Sequence, residues 1–590
     1  MDAIIGTGNI SKRKYGIVAE RDVFVPMSDG VNINVDVFRP DGKGKFPALL
    51  SMSPYNKEVQ SDRIWPGSSS AIHVRGVINT LVEAGNTDFF VRRGYVHIIG
   101  SARGTGKSGG AFSFIGAKEI RDIYEIVEWA AAQPWCNGNV GMLGISYFAA
   151  NQQLAAALRP PHLKAICPLF APTDFYRDVW YHGGILYAAW LNALVSLRAL
   201  DLNAEDIAAR EELGDDAFRE AIARALADKD ICANPELVDA LTNPDKLGNG
   251  ARVDMVLHPT DCPYWRERAV VDYDAITIPA YVGAGWYTYY MHLPGAFRSW
   301  ANLKVPKKMV IGPPIPFDRP FYQYHWEILR WYDYWLKGID TGIMDEPAVK
   351  IWVMGANEWK FADDWPVPGT RWIPFFLHHD GILCEIEPWP DAPDDSFNYS
   401  PSTRGSLKYF SPPLVENTEV VGPIALSLYA SVRSTDANFF ISLWDVDPEG
   451  NEAFLTRGWL KGSHREVDPK RSKPWQPFHP HTNPQPLIPG QVYQFAIEIM
   501  PTANLFKRGH RICLKISCAD DEEPKTPREV FHLGHLWSQT PTTVTIYHNA
   551  DRPSYLLLPI TGGNIIGTFL SGGELGLQRE AAEGLREAGY

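Results

Sequence analysis

Four short apolar runs, "FPALLSMSP" (46–54), "YVHIIG" (95–100), "NVGMLG" (139–144) and "LKAICPLF" (163–170), constrain the first 172 residues more than any other feature of the chain. Runs this short and continuously apolar suit strands buried on both faces, and helical stretches between them give the pattern of a mostly parallel sheet. Between the second and third runs, "IRDIYEIVEWAAAQ" (120–133) sets Ile120, Ile123, Ile126, Val127 and Ala130 at helical spacing. That spacing predicts a helix with one apolar face against the sheet. The pattern resumes with "IPAYVGAGW" (278–286) and "KKMVIGPP" (307–314), followed by "YHWEILRWYDYWLKG", a helix ending in a glycine stop.

Between 173 and about 267 the strand signals cease, and segments such as "AREELGDDAFREAIARALADKDI" are charged, alanine-rich and of helical period. Beyond 353 short alternating runs take over, as in "IALSLYASV" (424–432) and "RICLKISC" (511–518). Alternation of that kind predicts a β-sandwich or jelly roll. The expected organisation is an α/β domain from 1–172 and 268–352, a helical insertion at 173–267 and an all-β domain at 353–590. A chain of 590 residues exceeds what one hydrophobic core normally supports.

A formal charge of −13 and no run of clustered Lys or Arg exclude a phosphate-backbone partner. No window holds the roughly 18–20 apolar residues of a membrane span, so a soluble, cytoplasmic protein is expected. Seven scattered cysteines without a C-x-x-C spacing signal neither a disulfide framework nor zinc. The pairs His378–His379 and His479–His481 read as surface histidines, and neither a metal nor a cofactor is expected. "GTGKSG" (104–109) matches G-x-G-x-x-G formally but is followed by "AFSFIG" two residues on rather than a helix; a glycine-rich turn is expected there.

The chemistry centres on "GNVGMLGISYFAANQQLAAAL" (138–158). A strand, a glycine-flanked serine and a helix would expose the Ser146 hydroxyl at the carboxyl end of the sheet, as in a nucleophile elbow. Phe148 stands where G-x-S-x-G has its second glycine, and a serine that merely caps the helix is the competing reading. In the elbow reading, the Tyr147 amide and a group after an earlier strand, Tyr55 in "SPYNK", would hold a carbonyl oxygen.

Several segments together resemble the cocaine-esterase/NonD hydrolase family, relatives of the Xaa-Pro dipeptidyl-peptidases and α-amino-acid ester hydrolases. They are "SPYNK", "ARGTGKSGG", "WCNGNVGMLGISY", "LRPPHLKAICP", "DFYRDVWYHGG", "RWYDYWLKGIDTGIMDEPAVKIWVMG" and "FLTRGWLKGSHREVDPKRS". The resemblance implies an α/β-hydrolase domain, a helical cap in the insertion and a C-terminal jelly roll. It also implies Ser146 as nucleophile, with the Tyr147 amide and Tyr55 hydroxyl as oxyanion donors. Relatives often form dimers or larger assemblies, so a homo-oligomer is a candidate state.

The triad of that family is incomplete here. Its Asp position, after "GAGW" and Tyr287, holds Thr288, and the region expected to hold its His reads Pro314, Ile315, Pro316. Three residues are candidates for a substitute base or for pocket positions: His182 in "WYHGG", His292 one helical turn beyond Thr288, and Asp318 in "PFDRP". Trp286, Tyr287 and Thr288 are expected to wall the pocket, with Tyr289 and Tyr290 extending the aromatic run. Asp174 follows the strand after the nucleophile, where some α/β hydrolases carry their acid, whereas the resemblance implies a hinge role at the cap. Three functions remain open. The first is an ester or amide hydrolase of a small molecule with a relocated base. The second is a lyase, isomerase or cyclase using the oxyanion donors without serine acylation, and the third a binding protein without catalysis.

Overall fold

Each of the six apolar runs becomes a strand whose side chains are almost all buried, because continuous Val, Ile, Leu and Ala leave no polar face to turn to water. The structure is a computed structural model describing residues 9–60, 71–74, 77–81, 83–190, 192, 200–288, 290–314, 320–520 and 534–563. The chain divides into two compact units, Met1–Val179 with Ala189–Lys350, and Trp180–Ala188 with Ile351–Tyr590.

The first unit contributes to its main sheet the strands β1 (Ile17–Pro26), β2 (Asn32–Pro40), β3 (Phe46–Ser53), β4 (Val96–Ser101), β5 (Cys136–Met142), β6 (Leu163–Ile166), β7 (Ala280–Gly285) and β8 (Lys307–Gly312). Neighbours in the sheet run β1-β2-β4-β3-β5-β6-β7-β8. β3 to β8 are parallel, whereas β1 and β2 join antiparallel. The opening hairpin escapes the sequence pattern because β1, "IVAERDVFVP", is largely exposed and its register shifts between Glu20 and Val23.

Helix α1 (Ala117–Ala132) buries Ile120, Ile123, Ile126, Val127 and Ala130, as their spacing predicts. Helix α2 (Tyr147–Ala157) follows β5, α3 (Leu293–Asn302) follows β7, and α4 (Pro320–Lys337) ends at Gly338 with φ +67°. Between Ala208 and Arg266 the described elements are all helices. "GTGKSG" forms a tight turn: a Cβ on Gly104 would lie 2.1 Å from the Phe112 nitrogen. Arg103 beside it holds Asp122 of α1 through two hydrogen bonds of 2.9 and 2.6 Å.

The second unit is built on one sheet whose strands pair in a ring, because Tyr555–Gly562 pairs both with Arg371–His378 and with Thr418–Val432. On Thr418–Val432, the alternating Ile424, Leu426, Leu428, Ala430 and Val432 enter its core with at most 2% exposure. Residues 180–188 belong to this unit through a short hairpin, Tyr181–His182 against Ile185–Leu186. No described helix is long and apolar enough to cross a membrane.

Candidate active site

The turn after β5 is forced by its side chains. Gly144 has φ +123°, and a Cβ there would approach the Phe148 Cβ to 2.4 Å. Ser146 has φ 59° and ψ −118°, a region that a non-glycine residue occupies only at a cost of ~1–3 kcal/mol. Ser146 stands at the N-cap position but makes no side-chain capping hydrogen bond, against the helix-capping reading.

Its Oγ instead lies 3.1 Å from Nε2 of His292. His292 is the N-cap residue of α3, with Pro294 in the first turn behind it. Its amide donates to the Thr288 carbonyl at 3.0 Å, and the Thr288 hydroxyl donates to the Gly285 carbonyl at 3.0 Å. Through these two bonds Thr288 holds the turn that leads into His292. The ring is fully buried, and burial lowers its pKa to about 3. A neutral imidazole is therefore the resting form at physiological pH, which a general base requires.

Tyr55, just past β3, is buried beside Ser146. Burial, reinforced by the charge of Glu83, raises its pKa well above the ordinary tyrosine value, so the phenol keeps its proton. Its ring packs edge-on against Tyr147 and Phe148, at 5.9 and 6.1 Å between centroids. The Tyr147 phenol points elsewhere: it donates to Glu119 Oε2 at 2.8 Å and accepts from the Ile115 amide at 3.1 Å. What Tyr147 offers a carbonyl is its backbone N–H, in the first turn of α2, where helix amides lack intrahelical partners.

Glu83 is a participant that the sequence reading missed. Its carbonyl accepts the Ile145 amide at 3.1 Å, so it lines the elbow, and both carboxyl oxygens are buried without a hydrogen-bond partner. Burial raises its pKa well above the carboxylate range. In "LVEAGN" the only signal was an acid within an apolar stretch.

The other expected residues divide. Trp286 and Thr288 are buried in the short turn after β7, with Tyr287 partly so, and Tyr290 is buried; Tyr289 and Asp318 lie outside the described residues. Asp174 pairs with Arg177 at 2.9 Å. His182 belongs to the second unit, where its Nδ1 lies 2.8 Å from His535 Nε2 and its ring stacks on Trp459. His535 in turn meets the buried Asp520.

A strained serine between strand and helix, faced by a buried imidazole on a mainly parallel sheet, defines a hydrolase of α/β architecture with a second, all-β unit. Comparison narrows the class. Residues 29–315 match the X-Pro dipeptidyl-peptidase (S15 family) model, and residues 341–557 match the X-Pro dipeptidyl-peptidase C-terminal non-catalytic domain. Cocaine esterase of Rhodococcus sp. is 27% identical, over 91% of this chain and 98% of its own. A CocE/NonD family hydrolase from Staphylococcus aureus superposes with a TM-score of 0.73 at 25% identity, covering 92% of this chain and 94% of that one. An α-amino acid ester hydrolase, 18% identical with a TM-score of 0.71, shares the fold. The chain belongs to the cocaine-esterase/X-Pro dipeptidyl-peptidase family of hydrolases.

Proposed function

We propose that this protein hydrolyses an ester or amide bond of a small carbonyl compound through a Ser146–His292 dyad. The observation that carries the reading is the 3.1 Å contact between His292 Nε2 and Ser146 Oγ. His292 Nε2 takes the hydroxyl proton as Oγ attacks the carbonyl carbon. The Tyr55 hydroxyl and Tyr147 amide hold the resulting oxyanion. Collapse of the tetrahedral adduct expels the alcohol or amine, which takes the proton back from His292, and leaves an acyl-serine. Water, activated by the same imidazole, then releases the acid and restores Ser146.

A carboxylate normally orients the histidine of a triad and stabilises its imidazolium. In this reading orientation comes from the Thr288 turn and α3, and the nascent oxyanion is the principal counter-charge. In this reading residues 173–267, apart from 180–188 of the all-β unit, form a helical cap, and residues 353–590 form a jelly roll. The family favours hydrolysis over lyase, isomerase or cyclase chemistry, and an imidazole held against the serine has no task in a reaction that spares it.

The test is turnover of p-nitrophenyl acetate with detection of the acyl-enzyme by intact mass. The expected results are an acetyl adduct on the natural protein, none on Ser146→Ala with kcat falling by about 10³-fold or more, and a loss of about 10²–10³-fold in Tyr55→Phe. Turnover that survives Ser146→Ala would overturn the reading.

A further inference from the structure

In the second unit, two imidazoles and a carboxylate from distant parts of the chain converge at one end of the sheet. Asp395, the first residue of the strand Asp395–Tyr399, pairs with Ile546 of Thr542–Tyr547, which places His548 just past the end of that neighbouring strand. His379 sits in the turn between Arg371–His378 and Ile382–Cys384. His379 Nδ1 lies 2.8 Å from Asp395 Oδ1, and His548 Nε2 lies 3.1 Å from Asp395 Oδ2. One ligand atom from each residue falls within 4.8 Å of the others.

We propose that His379, Asp395 and His548 form a binding site for a divalent transition ion of the zinc class. Nothing in the hydrolytic reading calls for this cluster, and the proposal is independent of that reading. Two imidazole nitrogens and one carboxylate oxygen match the preference of zinc, whereas magnesium and calcium take oxygen ligands. Asp395 is already oriented: the Tyr409 hydroxyl donates to its Oδ2 at 3.0 Å. The outer nitrogen of His379, Nε2, lies 3.3 Å from the carboxylate of Asp380. A proton carried there frees Nδ1 to present its lone pair, the carboxylate–histidine–metal arrangement that fixes a ligand's tautomer.

The turn that holds His379 is tied down, because Gly381 has φ +72° and a Cβ there would meet the Lys408 carbonyl at 2.7 Å. Any larger residue would push the turn off the strand that carries Tyr409. Exposure is graded: the His548 side chain is fully buried, that of Asp395 is 13% exposed and that of His379 is 45% exposed. An ion would enter from the His379 side and complete its shell with water. With its Nε2 bound, His548 must carry its proton on Nδ1, which is buried without a hydrogen-bond partner. That cost makes the site weaker than a closed four-ligand zinc site. Binding would clamp a turn and two strands, stabilising the all-β unit.

The experiment treats the full chain with chelator, dialyses it against zinc chloride and measures bound metal by mass spectrometry. His379→Asn is the comparison, with Asp395→Asn as second variant. Because His379 is half-exposed, its replacement leaves the fold intact, as circular dichroism of the metal-free protein would verify. The expected result is one zinc per natural chain, at least tenfold weaker binding in either variant, and a zinc-dependent rise in unfolding temperature that both variants lose. Cobalt(II) bound in place of zinc would show visible absorption of a low-coordinate nitrogen–oxygen site. No zinc uptake, or equal uptake and equal stabilisation in natural protein and His379→Asn, would overturn the proposal and leave a hydrogen-bonded cluster only.

Discussion

His292 meets two opposing demands. Burial keeps it neutral, with its pKa lowered to about 3, yet the same burial disfavours the imidazolium that general-base catalysis must form. An ordinary histidine protonates near pH 6.5, whereas this one stays deprotonated through mildly acid conditions. The predicted profile of kcat/KM for p-nitrophenyl acetate is accordingly flat from pH 8 down to about 5, with its acid limb near the lowered pKa. An acid limb between pH 6 and 7 would show instead that the working base has an unshifted pKa. The sign of the stability effect follows. The unfolded chain takes up a proton below about pH 6.5 and the folded site does not, so folded stability falls as pH drops through that range toward 3. Ser146 and Tyr55 were legible because their motifs are local: a glycine-flanked serine between strand and helix, and a tyrosine just after a strand. His292 could be named only as one of several candidates, because whether a residue one turn beyond Thr288 faces the serine depends on the phase of a short turn.

Helix α3 begins directly after His292, so whatever anchors the helix positions the proposed base. Its Arg298 Nη1 lies 2.7 Å from both oxygens of Asp178 and 3.1 Å from the Thr173 hydroxyl. Asp178 is fully buried, while the Arg298 side chain is 29% exposed. Replacing Arg298 with Met leaves the buried Asp178 carboxylate its Thr173 and Asp174 amides but removes this guanidinium. The expected cost is about 3 kcal/mol, at the low end for a broken buried pair because one partner reaches water. Urea unfolding followed by fluorescence would check it; a change within about 0.5 kcal/mol would mean that the pair contributes nothing net. At this scale the parallel strands were legible because both faces are buried. The β1–β2 hairpin was not, because exposed strands with a bulge carry no clean period. The allegiance of residues 180–188 to the all-β unit was also hidden: their sequence places them inside the helical insertion, and only pairing such as that of Tyr187 with His535 reveals the connection.

For the whole molecule, the sequence announced two kinds of architecture through a change of period near residue 353, since a helical pattern and a two-residue alternation cannot be confused over long stretches. The contacts behind the two proposals are of another kind. Ser146 and His292 lie 146 residues apart, and His379, Asp395 and His548 span 169; no local pattern encodes such pairs, which exist only once the fold has formed. The central claim, that His292 activates Ser146, is therefore a property of the folded chain. It is tested most directly by the rate at which a fluorophosphonate adds to the full-length protein, followed by intact mass for the natural chain, Ser146→Ala and His292→Ala. The account predicts a single adduct on the natural protein, none on Ser146→Ala, and labelling slowed by about 10²–10⁴-fold in folded His292→Ala. Labelling of His292→Ala at the natural rate, or a folded natural protein that takes no label, would contradict it.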